Sequence, residues 1–505
     1  MNLKDKLTHR AFSIVGQSAD ELGREAYVVG GYVRDIFLER KSKDVDFVTV
    51  GSGIELAKKV ASNIAAVGRR RPKLAVYANY GTAQLHDADL ELEFVGARRE
   101  SYRRDSRNPI VEDGTLQDDM ERRDFTINAM AICVNKDRFG ELIDPFGGLA
   151  DLARREIRTP LDPDVTFSDD PLRMMRAIRF ATQLNFRIVP ATFQAIKRNR
   201  NRIEIITKER INDELGKIMR SPKPSIGFML LDMTGLLPLI FPELCELKGV
   251  ENHEGVGHKD NFLHTLKVLD NVAAKSDNEW LRWAALLHDI AKPKVKRWDA
   301  RLGWTFHNHN YIGERMIPRI FKRMKLPQNE KMKYVAKLVG LHMRPQNVAD
   351  EGVSDSGVRR LSTDAGADLE DLMTLCEADI TSKNPEKVRR QLEGFAKLRK
   401  RIAEINAADD YRKWKNPVDG NIIKDVFGIG DGPILGQLKQ DIKDAILDCR
   451  IENSVEAALD YLLQLGESRH EEIEALGGIV PASWKDRIKL PEGAEGEASE
   501  AAELD

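Results

Sequence analysis

The stretch from Tyr27 to Val50 places Gly30-Gly31 where a β-branched run gives way to a helical pattern, then Arg34, then Asp44 and Asp46 two residues apart. A Gly-Gly pair at a strand-to-helix turn lets the backbone approach a ligand without a Cβ in the way, and the N–H groups and positive dipole end of the next helix suit a phosphate. Arg34, one turn in, adds a cation. Residues two apart on a strand share a face, so Asp44 and Asp46 can jointly hold hard cations. Two Mg²⁺ ions about 4 Å apart would then clamp the attacking and leaving oxygens of a phosphoryl displacement. A β-rich segment, "LELEFVG", offers a third carboxylate: Glu93, between apolar Leu92 and Phe94, is preferred, and Glu91 shares its strand face. Taken singly, Gly-Gly is more often an ordinary turn and Asp-x-Asp an exposed strand edge. Their order and spacing together favour a phosphate and metal site.

These residues need a scaffold. Residues 26–150 mix β-branched runs ("YVVG", "DVDFVTV", "LAVYA", "LELEFVG") with the helical "GIELAKKVASNIAA", which predicts an α/β head with a mixed sheet and flanking helices. From Asp151 helical periodicity dominates, as in "DPLRMMRAIRFATQL", "ERINDELGKIM", "DNEWLRWAALLHDIA" and "VEAALDYLLQL", so an all-α body is expected. Pro and Gly mark joints at "SPKPS" and "GVENHEGVGHKDN", and the acidic, non-aromatic residues 481–505 read as a disordered tail. At 505 residues the chain is long enough for several cores. The expected division is a head over 1–150, a helical neck over 151–235, a further domain over 245–385, and a C-terminal helical region over 386–480.

Composition narrows the classes. Charged residues make up 32% and hydrophobic ones 42%, and no apolar run approaches the roughly 20 residues that cross a bilayer. No membrane is therefore expected as a partner. The start "MNLKDKLTHRAF" lacks signal-peptide features, so a cytoplasmic location is the expectation. Cys133, Cys245, Cys376 and Cys449 stand singly, which suggests neither a disulfide framework nor a thiolate zinc site. The net charge of −2 argues against indiscriminate nucleic-acid binding, yet basic residues outnumber acidic ones from Arg187 to Arg220. Such a stretch can follow a phosphate backbone or be a solvated helix face.

Further motifs sharpen the reading. "RRDFTINAMA" (Arg122 to Ala131), "DPFGGLADLARREIRTP" (Asp144 to Pro160), "SDDPLRMMRAIRFA" (Ser168 to Ala181) and "ERINDELGKIM" (Glu209 to Met219) follow in the order found in class II tRNA nucleotidyltransferases. The chain resembles the CCA-adding enzymes of that family, at least over residues 26–220. The resemblance implies that Gly30, Gly31 and Arg34 bind triphosphate and that Asp44 and Asp46 are catalytic Mg²⁺ ligands. It implies that Arg123, Asp124 and Asn128 fix the triphosphate and ribose of the incoming nucleotide, with "DPFGG" as a hinge. The family's E-D-x-x-R motif reads here Asp169-Asp170-Pro171-Leu172-Arg173, with Asp at the usual Glu. Its reading pair, Asp170 and Arg173, implies an amino-acid template for CTP or ATP: a carboxylate accepts from an exocyclic amine and a guanidinium donates to ring acceptors. Arg176 and Arg179 recur at helical spacing behind Arg173. The polar stretch Arg99–Met120 resembles the flexible loop associated with switching from CTP to ATP.

A second constellation lies in "FLHTLKVLDN", "LLHDIAKP", "FHNHNYIGE", "LVGLHMRP" and "LCEADIT". His264, His288-Asp289 and Asp379 resemble the metal ligands of the HD phosphohydrolase superfamily, and His309 and His342 the extra histidines of two-metal members. Imidazole and carboxylate suit Mn, Ni, Fe, Co or Mg better than a closed structural zinc site. His253, His258 and His307 are left for structural or supporting roles. "NPVDGNIIKDVFGIGDGPILGQLKQDIKDAIL" resembles the family's tRNA-holding C-terminal helices, with turns at Gly428, Gly430 and Gly432. The basic run Lys387–Arg401 reads equally as a phosphate-lining or a solvated helix.

The expectation is thus addition of CMP, CMP and AMP to the tRNA 3′ end from CTP and ATP, with pyrophosphate released. A phosphohydrolase activity of the HD domain would come in addition. The rivals are a poly(A) polymerase, a CC-adding enzyme, and an HD phosphohydrolase with an inactive, RNA-binding head. A guanosine-tetraphosphate synthetase/hydrolase would carry its HD segment first in the chain, and this order speaks against it.

Overall fold

Each of the four β-branched runs of residues 26–150 forms a strand in the computed structural model, which describes residues 1–66, 72–101, 110–250, 252–253, 256–257, 260–350, 352, 354–382, 384–408 and 416–488. The head begins with α1 (Arg10–Glu21), β1 (Ala26–Val29), α2 (Gly31–Phe37), β2 (Asp44–Thr49) and α3 (Gly53–Ala66). It continues through β3 (Leu74–Tyr77), β4 (Thr82–Asp87), β5 (Leu90–Gly96), β6 (Arg98–Ser101), β7 (Ile110–Asp113), α4 (Leu116–Glu121), β8 (Ala131–Cys133) and β9 (Leu142–Ile143). Seven strands make one mixed sheet in the order β3-β4-β5-β2-β1-β8-β9. Only β2 and β5 pair parallel in it, which requires a crossover, and α3 lies on that connection.

Side-chain alternation separates the faces of this sheet. Val45, Phe47, Leu92 and Phe94 are buried on the side of α1 and α3, where Phe47 stacks on Phe94 at 5.2 Å and meets Phe12 of α1 at 6.1 Å. Asp44, Asp46, Glu91 and Glu93 alternate with them and take the opposite face. One end of that face is sealed by Tyr27, Val29, Val48, Ala97, Ala131 and Met120 of α4. β4 had no part in the expected strands, although its alternating "TAQLHD" carries the signal.

Two expectations change. The stretch Arg99–Met120 is ordered at both ends. β6 and β7 pair antiparallel, because Ile110-Val111 supplies β-branched residues, and a Thr115/Asp118 capping box opens α4. Residues 102–109, in its middle, lie outside those described, as do residues 489–505 of the expected tail, His258, and the side chain of His253. The body is helical as expected, with short strand pairs added: Glu156–Ile157 with Arg187–Ile188, Asn252–His253 with Val256–Gly257, and Arg297–Asp299 with Gly303–Thr305.

After the head come α5 (Gly148–Arg154), α6 (Pro163–Asp169), α7 (Leu172–Leu184), α8 (Pro190–Asn199), α9 (Lys208–Met219) and α10 (Pro224–Thr234). Buried Arg282 donates to the carbonyls of Met219 and Ser221 at the end of α9, to that of Ala273 at the end of helix Asn261–Ala273 and to that of Ser276 just beyond it. It thereby satisfies helix-end acceptors that would otherwise be buried unpaired. The chain divides into two compact units, Met1–Gly340 and Leu341–Asp505. In the second, helices Gly420–Phe427, Pro433–Leu447 and Val455–Ser468 enclose a core of Ile423, Phe427, Leu438, Leu459, Leu462 and Trp484, with Gly428 turning at φ +70°. Helix Pro385–Ala408 carries the basic run. Its Arg399 pairs with Glu377 and Glu370, and Arg401 with Asp355 and Glu404.

Candidate active site and metal centre

Parallel pairing sets Asp44 opposite Glu91 and Asp46 opposite Glu93. With strands about 4.8 Å apart, the four carboxylates form one acidic patch. Glu93 and Glu91 then diverge. Burial and the neighbouring Asp46 charge push the Glu93 carboxyl up, against Arg98. Glu91 instead has an oxygen 3.8 Å from Nδ1 of exposed His86. Burial raises Asp46 most; Arg123 opposes it, while Asp44 and Asp119 add to it. Like charges gathered this way are unfavourable until a cation compensates them, and an all-oxygen donor set fits hard divalent ions.

Gly30 closes the turn onto this patch at φ +75°. A Cβ there would sit 3.1 Å from an Arg123 Nη and 3.3 Å from Asp46 Oδ2, so the positive φ favours glycine and a side chain would press on both groups. Gly31 opens α2, and Arg34 on that helix donates to Asn128 Oδ1 at 2.8 Å and to Asp35 at 2.9 Å. Asp124 is buried, accepting from Asn128 Nδ2 at 3.1 Å and from Arg176 Nε at 2.7 Å. Burial alone would raise its pKa, but the charge of Arg176 and the hydrogen bonds from Asn128 and Arg176 outweigh it and hold it low. Asp119, fully buried on α4, likewise binds Arg122 and Arg123, the latter at 2.9 Å, and those charges overcome burial to keep it ionised. The RRDFTINA segment is therefore a ladder of paired charges holding Arg123, Asp124 and Asn128 in place.

The other wall comes from the break between α6 and α7. Asp170 ends α6 and accepts from Leu172 N at 3.1 Å, while Arg173, in the first turn of α7, donates to the Arg122 carbonyl at 2.7 Å. Arg179 pairs with Glu214 of α9 at 2.6 Å, and Arg34, Arg176 and Arg179 surround the Phe180 ring at 5.3, 5.5 and 3.9 Å. Together these groups line a cavity of about 900 Å³. Gly30, Gly31, Arg34, Asp44, Asp46, Glu91, Glu93, Arg123, Asp124, Asn128, Asp170, Arg173, Arg176 and Arg179 all face it. Gln84, Arg122, Phe180, Arg210 and Lys217 line it too, and sequence reasoning had not singled them out. Phe180 stands inside a quoted helical motif, beside the arginines that drew the attention. Arg210, whose guanidinium lies 3.7 Å from Asp170, stands inside a quoted motif without a distinguishing neighbour.

The HD histidines of the first unit gather round one carboxylate. Asp289, 1% exposed, has oxygens 3.5 Å from His264 Nε2, 3.2 Å from His288 Nε2, 3.4 Å from His309 Nε2 and 2.6 Å from Lys292 Nζ. Burial pushes Asp289 up, but His288, Lys292 and the imidazole hydrogen bonds carry it well below the usual carboxylate range. Nδ1 of His288 contacts the Ala285 carbonyl at 2.8 Å and Nδ1 of His309 the Phe306 carbonyl at 2.7 Å. A carbonyl can only accept, so each Nδ1 carries a proton, and Nε2, the nitrogen facing Asp289, is the one that becomes free to bind a metal when its own proton is displaced. A metal ligand needs that arrangement, and the donor set fits a divalent transition ion. His342 and Asp379 belong to the second unit. Asp379 ends helix Leu369–Asp379, and Cys376 of that helix donates to the His342 carbonyl at 2.9 Å. His307 is exposed.

Comparison with known proteins agrees with this geometry. Family models match in chain order: the Poly A polymerase head domain over residues 26–158, the probable RNA and SrmB-binding site of polymerase A over 185–248, and the HD domain over 261–384. An A-adding tRNA nucleotidyltransferase of Deinococcus radiodurans is 33% identical over 340 residues, 65% of this chain and 75% of the relative. A multifunctional CCA protein of Shewanella frigidimarina is 34% identical over 308 residues, 60% of this chain and 70% of that one. The crystal structure of a tRNA nucleotidyltransferase complexed with a primer tRNA and an incoming ATP analog is 28% identical, covers 76% of this chain and 98% of its own, and superposes with a TM-score of 0.54. The chain belongs to the class II tRNA nucleotidyltransferases, the family of the CCA-adding enzymes, and is a nucleotidyltransferase with an HD domain. Among the described residues no helix is long and apolar enough to cross a membrane.

Proposed function

We propose that this chain adds CMP, CMP and AMP in turn to the 3′ end of tRNA, taking CTP and ATP and releasing pyrophosphate, in the cytoplasm. The observation that carries the reading is the meeting, in one cavity, of Asp44, Asp46 and Glu93 with Asp170 and Arg173. Divalent cations, Mg²⁺ in the first place, would be held by Asp44 and Asp46 and would supply positive charge at the attacking and leaving oxygens. The chain's own cations do the rest of the positioning. Arg34 and Arg123 receive the triphosphate, and Asp124 and Asn128 hold the ribose end. Asp170 accepts from the exocyclic amine of cytosine or adenine while Arg173, oriented by its bond to the Arg122 carbonyl, donates to ring acceptors. UTP and GTP present a carbonyl where Asp170 needs a donor, which leaves that carboxylate unpaired and excludes them.

A second reading has support in the Deinococcus relative, whose name is that of an A-adding enzyme. The two separate on a tRNA transcript lacking CCA, given CTP and ATP with Mg²⁺ and resolved at single-nucleotide length. Three additions are expected. Extension only of a transcript already ending in CC would make this an A-adding enzyme, two additions a CC-adding one, and a long adenylate tail a poly(A) polymerase.

We further propose that His264, His288, Asp289 and Asp379, with His309 and His342, hold divalent metal of the Mn, Ni, Fe, Co or Mg kind for hydrolysis of phosphate esters at RNA 3′ ends. The Nε2 atoms of His288 and His309, directed by the Nδ1 contacts of the same rings, support this. The head, neck, HD and C-terminal divisions at 1–150, 151–235, 245–385 and 386–480 remain the working functional map, with the last region and the basic helix Pro385–Ala408 as tRNA contacts.

A further inference from the structure

The cations of the nucleotide cavity lie to one side of its carboxylates. Arg34, Arg123, Arg173, Arg176 and Arg179 come from α2, from the segment after α4 and from α7. The sheet continues on the other side through β5, β4 and β3, where Asp46, Glu93, Gln84 and Ala75 stand in register across four strands. One row further along the same face come Val48, Val95, Thr82 and Tyr77. Tyr77, on the edge strand, is 48% exposed, and Tyr80, in the turn between β3 and β4, is 73% exposed. Arg98, which opens β6, donates to the Tyr80 carbonyl at 3.5 Å, and its charge reaches Glu93. Tyr77 and Tyr80 thus present exposed rings on the β3–β4 side of the sheet, with Arg98 joined to Tyr80.

In-line displacement dictates what comes from that side. The leaving pyrophosphate points into the arginine cluster, so the attacking 3′-hydroxyl has to approach the α-phosphorus from the opposite direction, over Glu93 and the strands beyond it. We propose that Tyr77 and Tyr80, with Arg98, form the platform for the last nucleotides of the primer RNA: the rings stack on the terminal bases and Arg98 meets the backbone phosphate between them. Stacking is indifferent to base identity, which is what a primer surface requires when the terminal residue changes with each addition. The assignment rests on the nucleotidyl-transfer reading of the cavity and makes the tyrosines positioning residues for the acceptor strand.

The test compares Tyr77→Ala, Tyr80→Ala and the corresponding Phe variants in the full-length protein, on a tRNA transcript lacking CCA. Each Ala variant is expected to raise the KM for tRNA about tenfold, with the KM for CTP unchanged, and each Phe variant to restore the wild-type value because the ring remains. Circular dichroism and thermal midpoint, both expected to stay at wild-type values, show that the variants fold. An unchanged tRNA KM in folded Ala variants of an active enzyme overturns the platform alone, as does an equal rise in the KM for CTP. A wild-type protein that adds nothing to tRNA overturns the reading of the cavity itself.

Discussion

The nucleotide cavity and the histidine cluster of the HD segment both place carboxylates where a cation would go, and they treat the charge in opposite ways. In the cavity, Asp46 and Glu93 are raised by burial, Asp46 further by Asp44 and Asp119 and Glu93 further by Asp46, on an open face of the sheet. In the cluster, Asp289 is buried at 1% exposure and held low by His288 and Lys292. The first arrangement stores repulsion that only an arriving cation and its nucleotide relieve, as suits a centre that must empty each cycle. The second is already compensated by the chain, as suits a resident ion held between turnovers. The cations follow the same division: the cavity collects arginines for a polyanionic substrate, whereas Asp289 has Lys292 at 2.6 Å.

The comparison breaks most visibly at Asp289. Asp289→Ala leaves Lys292 and the imidazoles without their buried counter-charge, and a stability loss of about 3 kcal/mol is expected by urea titration. Bound transition metal, measured by elemental analysis after gel filtration, should fall to background. Retention of metal by the variant would break the assignment of this cluster as the resident site.

Next in size is selectivity within the cavity. Asp170→Ala and Arg173→Ala are expected to lower kcat/KM for CTP and ATP about 100-fold and to bring UTP within reach of CTP, measured in single-nucleotide additions. Unchanged discrimination would move base reading to Arg176, Arg210 or Lys217.

The smallest effect sharpens the electrostatic contrast. Folded-state pKa values of Asp46 and Glu93 lie above their unfolded values, so the ionised pair costs stability above the raised pKa, and that cost disappears as pH falls towards about 4. Asp119 and Asp124 are lowered, so their contribution is present above the unfolded value near 3.9 and is lost as pH falls through the folded one. At pH 7 without divalent ions, Asp46→Asn should therefore raise the thermal midpoint by a few degrees and abolish the further rise that Mg²⁺ gives the wild type, while Asp119→Asn should lower it. Scanning calorimetry with and without Mg²⁺ reads both, and a lowered midpoint for Asp46→Asn would contradict the stored repulsion.

Much of this was legible in the sequence because period-2 alternation is a local property. "DVDFVTV" and "LELEFVG" announced strands, and the same alternation put Asp44, Asp46 and Glu93 on one face. What alternation leaves open is which strands are neighbours. Only the register of β5 against β2 sets Glu91 opposite Asp44 and Glu93 opposite Asp46, and Tyr77 joined the same face only through β4, a strand absent from the expectation. Asp119 escaped notice for a related reason: a carboxylate beside two arginines in sequence looks solvated, and only its complete burial shows that it anchors them. The histidines of the HD segment were named from their order in the chain, but the carbonyl contacts that hold Nδ1 of His288 and of His309 depend on helix ends that composition does not reveal.

The central claim is that the carboxylates of β2 perform nucleotide addition independently of the HD cluster. Single-turnover incorporation of CMP into a tRNA transcript lacking CCA, with saturating CTP and Mg²⁺, tests it with Asp44→Ala beside Asp289→Ala. The account predicts a fall of about 1,000-fold or more for Asp44→Ala and a rate within about twofold of wild type for folded Asp289→Ala. Addition that survives Asp44→Ala, or that disappears with Asp289→Ala, would contradict it.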